Sequence, residues 1–199
     1  MKRNPFLPKH LALLLLAAPL AFSACKKDNE DPKPADDHEL ITTVVYSLKA
    51  PAGSTAPNVS ITWEDRDGEG GAAPVVTGGT GGRLTLRPNT VYTGDILLLD
   101  RTKTPADTIS NEVAEEADEH LFVYEANPAA LLGVVRTDRD ANRLEVGLKT
   151  TATTAAAGTG TLKITLRHQP PQANGTRIKD GTFGPGDTDV AADFPLTVQ

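Results

Sequence analysis

The chain has 199 residues, room for one domain of moderate size or two very small ones, which excludes a large multidomain enzyme. Lys and Arg number 20 against 26 Asp and Glu; Lys2, Arg3 and Lys9 fall in the first 24 residues with no acid among them, leaving 17 against 26 beyond. That negative field repels phosphate backbones, and with no cluster of Lys, Arg and aromatics, nucleic acid is disfavoured as a partner.

Residues 1–24 read as a signal peptide: three positive charges, a leucine-rich run from Leu11 to Leu16, then small and apolar residues up to Ala24. The 14 residues of 11–24 are interrupted by Pro19 and fall short of the roughly 18 to 20 that a membrane span needs. The string Leu20-Ala21-Phe22-Ser23-Ala24-Cys25 resembles the lipobox of bacterial lipoproteins, with Phe22 standing where an aliphatic residue is usual. The resemblance implies cleavage between Ala24 and Cys25, with a diacylglycerol and an N-acyl chain on Cys25. Several acyl chains, at about 0.8 kcal/mol per buried methylene, anchor stably where one does not. Cys25 is the only cysteine, so its lipidation leaves no thiol for a disulfide, for catalysis or for a metal.

Residues 25–38 are then expected to be a disordered acidic tether. KKDNEDPKPADDH contains no large apolar side chain to offset the entropy of ordering. As a coil it spans on the order of 20 Å, and about 45 Å when stretched. Its Lys-Asp-Asn-Glu-Asp string also resembles the acidic export tags that follow the lipidated cysteine in some bacterial surface lipoproteins.

Beyond it, short apolar and β-branched bursts alternate with turn formers, and 24 threonines, 17 glycines and 15 prolines favour strands and turns. Strands are predicted over 40–48, 59–64, 83–87, 91–100, 121–124, 131–136, 143–150, 161–167 and 193–198. Val59, Ile61 and Trp63 share one face, as do Leu162, Ile164 and Leu166, with polar residues between them on a wet face. The glycine-rich 68–82 stretch reads as a loop. Ile109, Val113 and Ala117 recur four apart, predicting a short helix over 108–119 behind Asp107 or Thr108. The expected fold is mainly β: one antiparallel immunoglobulin-like β-sandwich over 39–199 with one short helix. Leu84 to Thr93 resembles the strand, turn and tyrosine-bearing strand of fibronectin-type modules.

No nucleophile elbow, zinc-protease, phosphate-loop or dinucleotide fingerprint occurs, so an enzyme is not expected. Asp65-Arg66-Asp67-Gly68-Glu69-Gly70 spaces oxygens like a calcium loop, but Val76 replaces the closing acid and a solvated turn is favoured. Asp138-Arg139-Asp140 repeats that spacing with Lys149 in the closing place, favouring a hairpin turn. Five carboxylates, Glu112, Glu115, Glu116, Asp118 and Glu119, precede His120. A solvated helix face is the plain reading; the alternative is a divalent-metal site using His120, His168, Glu116, Asp138 and Asp140.

The order EEADEH, TDRD, Val-Gly-Leu-Lys-Thr-Thr, Thr-Leu-Lys-Ile-Thr-Leu-Arg-His-Gln-Pro and a final Phe-Pro-Leu-Thr-Val-Gln is similar to a family of small bacterial lipoproteins. They are known as type 1 periplasmic binding fold superfamily proteins, and the similarity spans nearly the whole chain from Cys25. That name denotes a two-lobed α/β structure, whereas this chain is strand-rich, so no sugar or amino-acid pocket is carried over. The expectation is a lipid-anchored, non-enzymatic module of the cell outer membrane, facing periplasm or cell surface. It would bind a protein or glycan partner and need no cofactor beyond its lipid; a metal-binding module and a hydrolase with a dispersed site are the alternatives.

Overall fold

Residues 40–68 and 70–199 are described in a computed structural model. The expected signal peptide, its expected Ala24–Cys25 cleavage point and the expected tether of 25–38 lie outside the described residues. Among the described residues no helix is long and apolar enough to cross a membrane.

Alternating apolar and polar residues set most of the strands. The order is β1 (Thr43–Lys49), β2 (Val59–Glu64), β3 (Val75–Gly78), β4 (Leu84–Leu86), β5 (Val91–Leu99), α1 (Ile109–Glu115), β6 (His120–Asn127), β7 (Leu132–Arg136), β8 (Lys149–Thr154), β9 (Gly158–His168) and β10 (Asp187–Val198). In β5, Tyr92, Gly94, Ile96 and Leu98 point inward while Val91, Thr93, Asp95 and Leu97 are exposed. The fold is mainly β, with two sheets and one short α-helix among the described residues. The six-stranded sheet runs β3-β2-β1-β5-β8-β7 and the four-stranded sheet β4-β10-β9-β6.

Both sheets bury their inner faces in one core. Tyr46, Ile61, Tyr92 and Leu98 come from the first sheet, Phe122, Ile164, Phe194 and Leu196 from the second, and Ile109 and Val113 from α1. The chain changes sheets between β4 and β5, where the Tyr92 hydroxyl accepts the Arg87 backbone N–H at 3.0 Å. It also changes between β3 and β4, β5 and β6, and β8 and β9, and between β6 and β7 through Pro128 and a 3-10 turn at Ala129–Leu131.

Several expectations change. The pairing is not wholly antiparallel, because β4 runs parallel to β10, with Leu84, Thr85 and Leu86 opposite Leu196, Thr197 and Val198. The stretch read as a loop contains β3, which closes one edge of the larger sheet against β2. The helix stops at Glu115, and its last turn carries no basic residue to oppose the negative end of its dipole.

The strand predicted over 143–150 begins only at Lys149, because two carboxylates hold the preceding residues in an arch. Asp138 accepts from the backbone N–H groups of Gly147, Leu148 and Lys149 at 2.8, 2.9 and 3.2 Å. Asp140 accepts from Asn142 and Leu144. Finally, the outer face of β9 is not wet throughout: Thr165 and Arg167 are buried. The 169–186 connection folds over them, with the Arg167 guanidinium bonded to Thr188 and the Pro185 and Gly186 carbonyls beneath the Phe183 ring.

Candidate functional site: a cleft beside a stacked histidine pair

The site begins with one surplus residue in β10. Thr188 pairs with Arg167 and Val190 with Leu166, so Asp189 is the extra residue of a β-bulge. A bulge re-aims a side chain that regular alternation would point elsewhere. The Asp189 side chain is turned under cover, 1% exposed, with Oδ2 3.9 Å from His120 Nε2.

His120 and His168 stand directly opposite each other on β6 and β9. Their rings stack at 4.9 Å between centroids, 9° from parallel. His120 Nδ1 lies 3.1 Å from the Glu116 carbonyl, which can only accept, so Nδ1 carries the hydrogen and Nε2 faces Asp189. His168 Nε2 lies 3.6 Å from Glu119 Oε2. Burial holds the His120 pKa below the usual imidazole value; the neighbouring His168 lowers it further, while the Glu116 carbonyl and Asp189 oppose the shift.

Of the other three sequence candidates, Glu116 reaches His120 by its backbone carbonyl and adds its negative charge nearby, while Asp138 and Asp140 are held by other partners. The Glu116 residue itself is exposed. Asp138 is occupied by its three backbone N–H groups. Asp140 binds Lys179, Nζ to Oδ2 at 3.0 Å, both side chains fully covered, and that ammonium also donates to the Ala117 carbonyl at 2.8 Å. Burial lowers the Lys179 pKa against the pull of Asp140; burial acts to raise Asp140, but Lys179 and the backbone N–H groups hold it below the usual carboxylate range. Among the described residues no group of three or more His, Cys, Asp or Glu is placed to hold a metal ion. Nitrogen lone pairs lie in the ring plane, so two near-parallel rings do not aim theirs at one point between them.

On its other side Asp189 lines a cleft of about 820 Å³, bounded by the 65–74 turn and by residues 188–191 of β10. Leu40, Ile41, Trp63, Pro74 and Val190 supply apolar surface, and the Gly and Ala residues of 68–73 keep one wall low. Asp65 fixes that turn by accepting the Gly68 N–H at 3.0 Å, and Asp67 accepts from Ala72 at 2.8 Å. Arg66, between them, turns to Glu64. Among the described residues, Asp65 and Asp189 are the charged members of the lining, and no Lys, Arg or His is among it.

Neither a protein-family model, a curated protein nor a solved structure matches this chain. Sequence reasoning missed the cleft because its walls lie more than a hundred residues apart in the chain. Trp63 reads as core, Asp65 as a turn residue, and only the register against β9 reveals Asp189 as a bulge.

Proposed function

We propose that the protein is a lipid-anchored, non-enzymatic binding module of the bacterial outer membrane, related to the small lipoproteins its motifs resemble, and that it binds through the Trp63–Asp189 cleft. The cleft carries the binding part of this reading: its volume falls within the range of ordinary ligand sites, and it joins apolar walls to a few fixed polar groups. Cys25 in its lipobox-like setting carries the anchoring part. We further assign the two sheets to an immunoglobulin-like β-sandwich. The supporting feature is the corner between β4 and β5, where a tyrosine hydroxyl bonds back to the backbone five residues upstream as the chain passes between sheets.

A divalent-metal role for His120 and His168 ranks below this reading because the stacked rings do not converge their donors. A hydrolase ranks lower still, since the sequence carries no nucleophile-elbow or zinc-protease fingerprint.

Trp63 is the chain's only tryptophan, so its emission reports on this cleft. Titrating the full chain with a panel of peptides and oligosaccharides is expected to shift that emission for at least one class. Ala73→Leu, a change at an exposed lining residue, should suppress the shift. A panel that leaves Trp63 silent overturns the binding role of the cleft. For the anchor, radiolabelled palmitate should enter the wild type and not Cys25→Ala; equal labelling of the two sinks the assignment.

A further inference from the structure

We infer that the occupant of the cleft is the side chain of a lysine or arginine presented by a polypeptide partner. This rests on the reading of the cleft as the binding site and goes beyond it by naming the ligand's chemistry. The first argument is charge: among the described residues the lining includes Asp65 and Asp189 and no basic residue, with the Asp65 carboxylate half-buried and that of Asp189 covered against His120. The adjacent Asp67 adds to the same field, and Arg66 spends its charge on Glu64. A recess with low-dielectric walls focuses such a field, and the chain as a whole, at a formal net charge of -6, attracts the same sign of ligand.

The second argument is the apolar surface, which a bare inorganic cation would not use. Lysine and arginine carry a charged head on a hydrocarbon stem, and they lay that stem along apolar walls while the head meets polar groups. Ile41, Val190 and Pro74 offer such walls, with the largely covered Trp63 beside them. The third argument is the rim. Leu40 is 55% exposed, and Val75, next to Pro74 of the lining, is 59% exposed. Large apolar side chains left open beside a charged recess suit a ligand with a body beyond its cationic tip, as a polypeptide has and a small free amine lacks.

The roles divide by position. Asp65, half-buried at the mouth, meets the incoming cation. Asp189, covered and set against His120, supplies field from behind the wall.

The test uses Trp63 emission of the full chain, titrated with acetyl-Gly-Lys-Gly-amide, its arginine counterpart, its norleucine counterpart and 1,5-diaminopentane. Both cationic peptides are expected to bind at least tenfold more tightly than the uncharged norleucine peptide, and raising salt from about 50 to 500 mM should weaken them severalfold. Asp65→Asn, which keeps the oxygen that accepts from Gly68, should weaken the cationic peptides about tenfold and leave the norleucine peptide unchanged. Equal binding of norleucine and lysine peptides overturns the cationic assignment and leaves the cleft as a binding site. Tighter binding of the free diamine than of the lysine peptide overturns the polypeptide source. No response to any of the four, in a chain whose Trp63 answers another class of ligand, overturns the inference while the proposed function stands; silence to every class removes both.

Discussion

At the scale of single residues, two buried titratable groups define what the domain tolerates. His120 is held neutral by burial, so its folded pKa lies below the unfolded value near 6.5. Between those two values the unfolded chain binds more protons than the folded one. Stability is therefore full above pH 6.5 and is lost as pH falls toward the folded value. His168, Asp189, the Glu116 carbonyl and the Glu116 carboxylate act on the ring, and the two acids limit the loss without reversing it. Urea midpoints should fall between pH 7.5 and 5.5, and His120→Gln should flatten that dependence; a midpoint that rises on acidification would refute the assignment. Lys179 poses the converse problem. Lys179→Met leaves the covered Asp140 carboxylate without its ammonium, at a cost of about 3 to 5 kcal/mol. Adding Asp140→Asn removes the stranded charge while keeping an oxygen for the Asn142 and Leu144 N–H groups, so the double variant should recover most of the loss in chemical denaturation.

At the scale of elements, alternation made the strands legible, and carboxylates decided where alternation misleads. Val59, Ile61 and Trp63, and likewise Leu162, Ile164 and Leu166, face the core as their spacing implies. Leu144, Val146 and Leu148 also alternate, yet they lie in an arch because Asp138 offers three backbone N–H groups a better acceptor than a neighbouring strand. No local rule announces that competition, since Asp138 precedes the bonded groups by nine to eleven positions. Asp138→Ala should cost about 2 to 3 kcal/mol in urea unfolding, the scale of a charged acceptor lost from half-buried donors. Asp138→Asn should recover part of it through the Oδ1 that serves Gly147 and Lys149. Close approach between strands leaves a clearer mark. Gly94 lies on β5 where the Tyr46 and Thr150 hydroxyls, bonded to each other at 2.9 Å, fill the space a Cβ would take. Gly94→Ala therefore overpacks the sheet at about 1 to 3 kcal/mol, and differential calorimetry should show the lowered Tm.

At the scale of the whole molecule, sequence patterning revealed the mainly β class and the helix but not how the sheets are joined. Periodicity says which face of a strand is apolar and nothing about its neighbour, so the parallel β4–β10 pair and the bulge at Asp189 had no signature in the chain. The histidines show the same limit. Their types pointed to a shared site, and the register of β6 against β9 does bring them together, but as a face-to-face stack and apart from Asp138 and Asp140. What joins the sheets also fixes how the domain should come apart. Leu98 and Tyr46 of the larger sheet and Phe194 and Ile164 of the smaller belong to one buried cluster, so neither sheet can open without exposing the inner face of the other. Two cores would permit two transitions; one shared core demands a single cooperative one. Trp63 reports on the six-stranded sheet, and amide exchange along β9 and β10 reports on the four-stranded sheet. The urea midpoint of Trp63 emission should coincide with that of slow exchange in β9 and β10. Tyr92→Phe, which removes the hydroxyl holding the β4–β5 corner, should lower both midpoints by the same amount. A variant that moves one midpoint and spares the other would show that the two sheets fold as separate units.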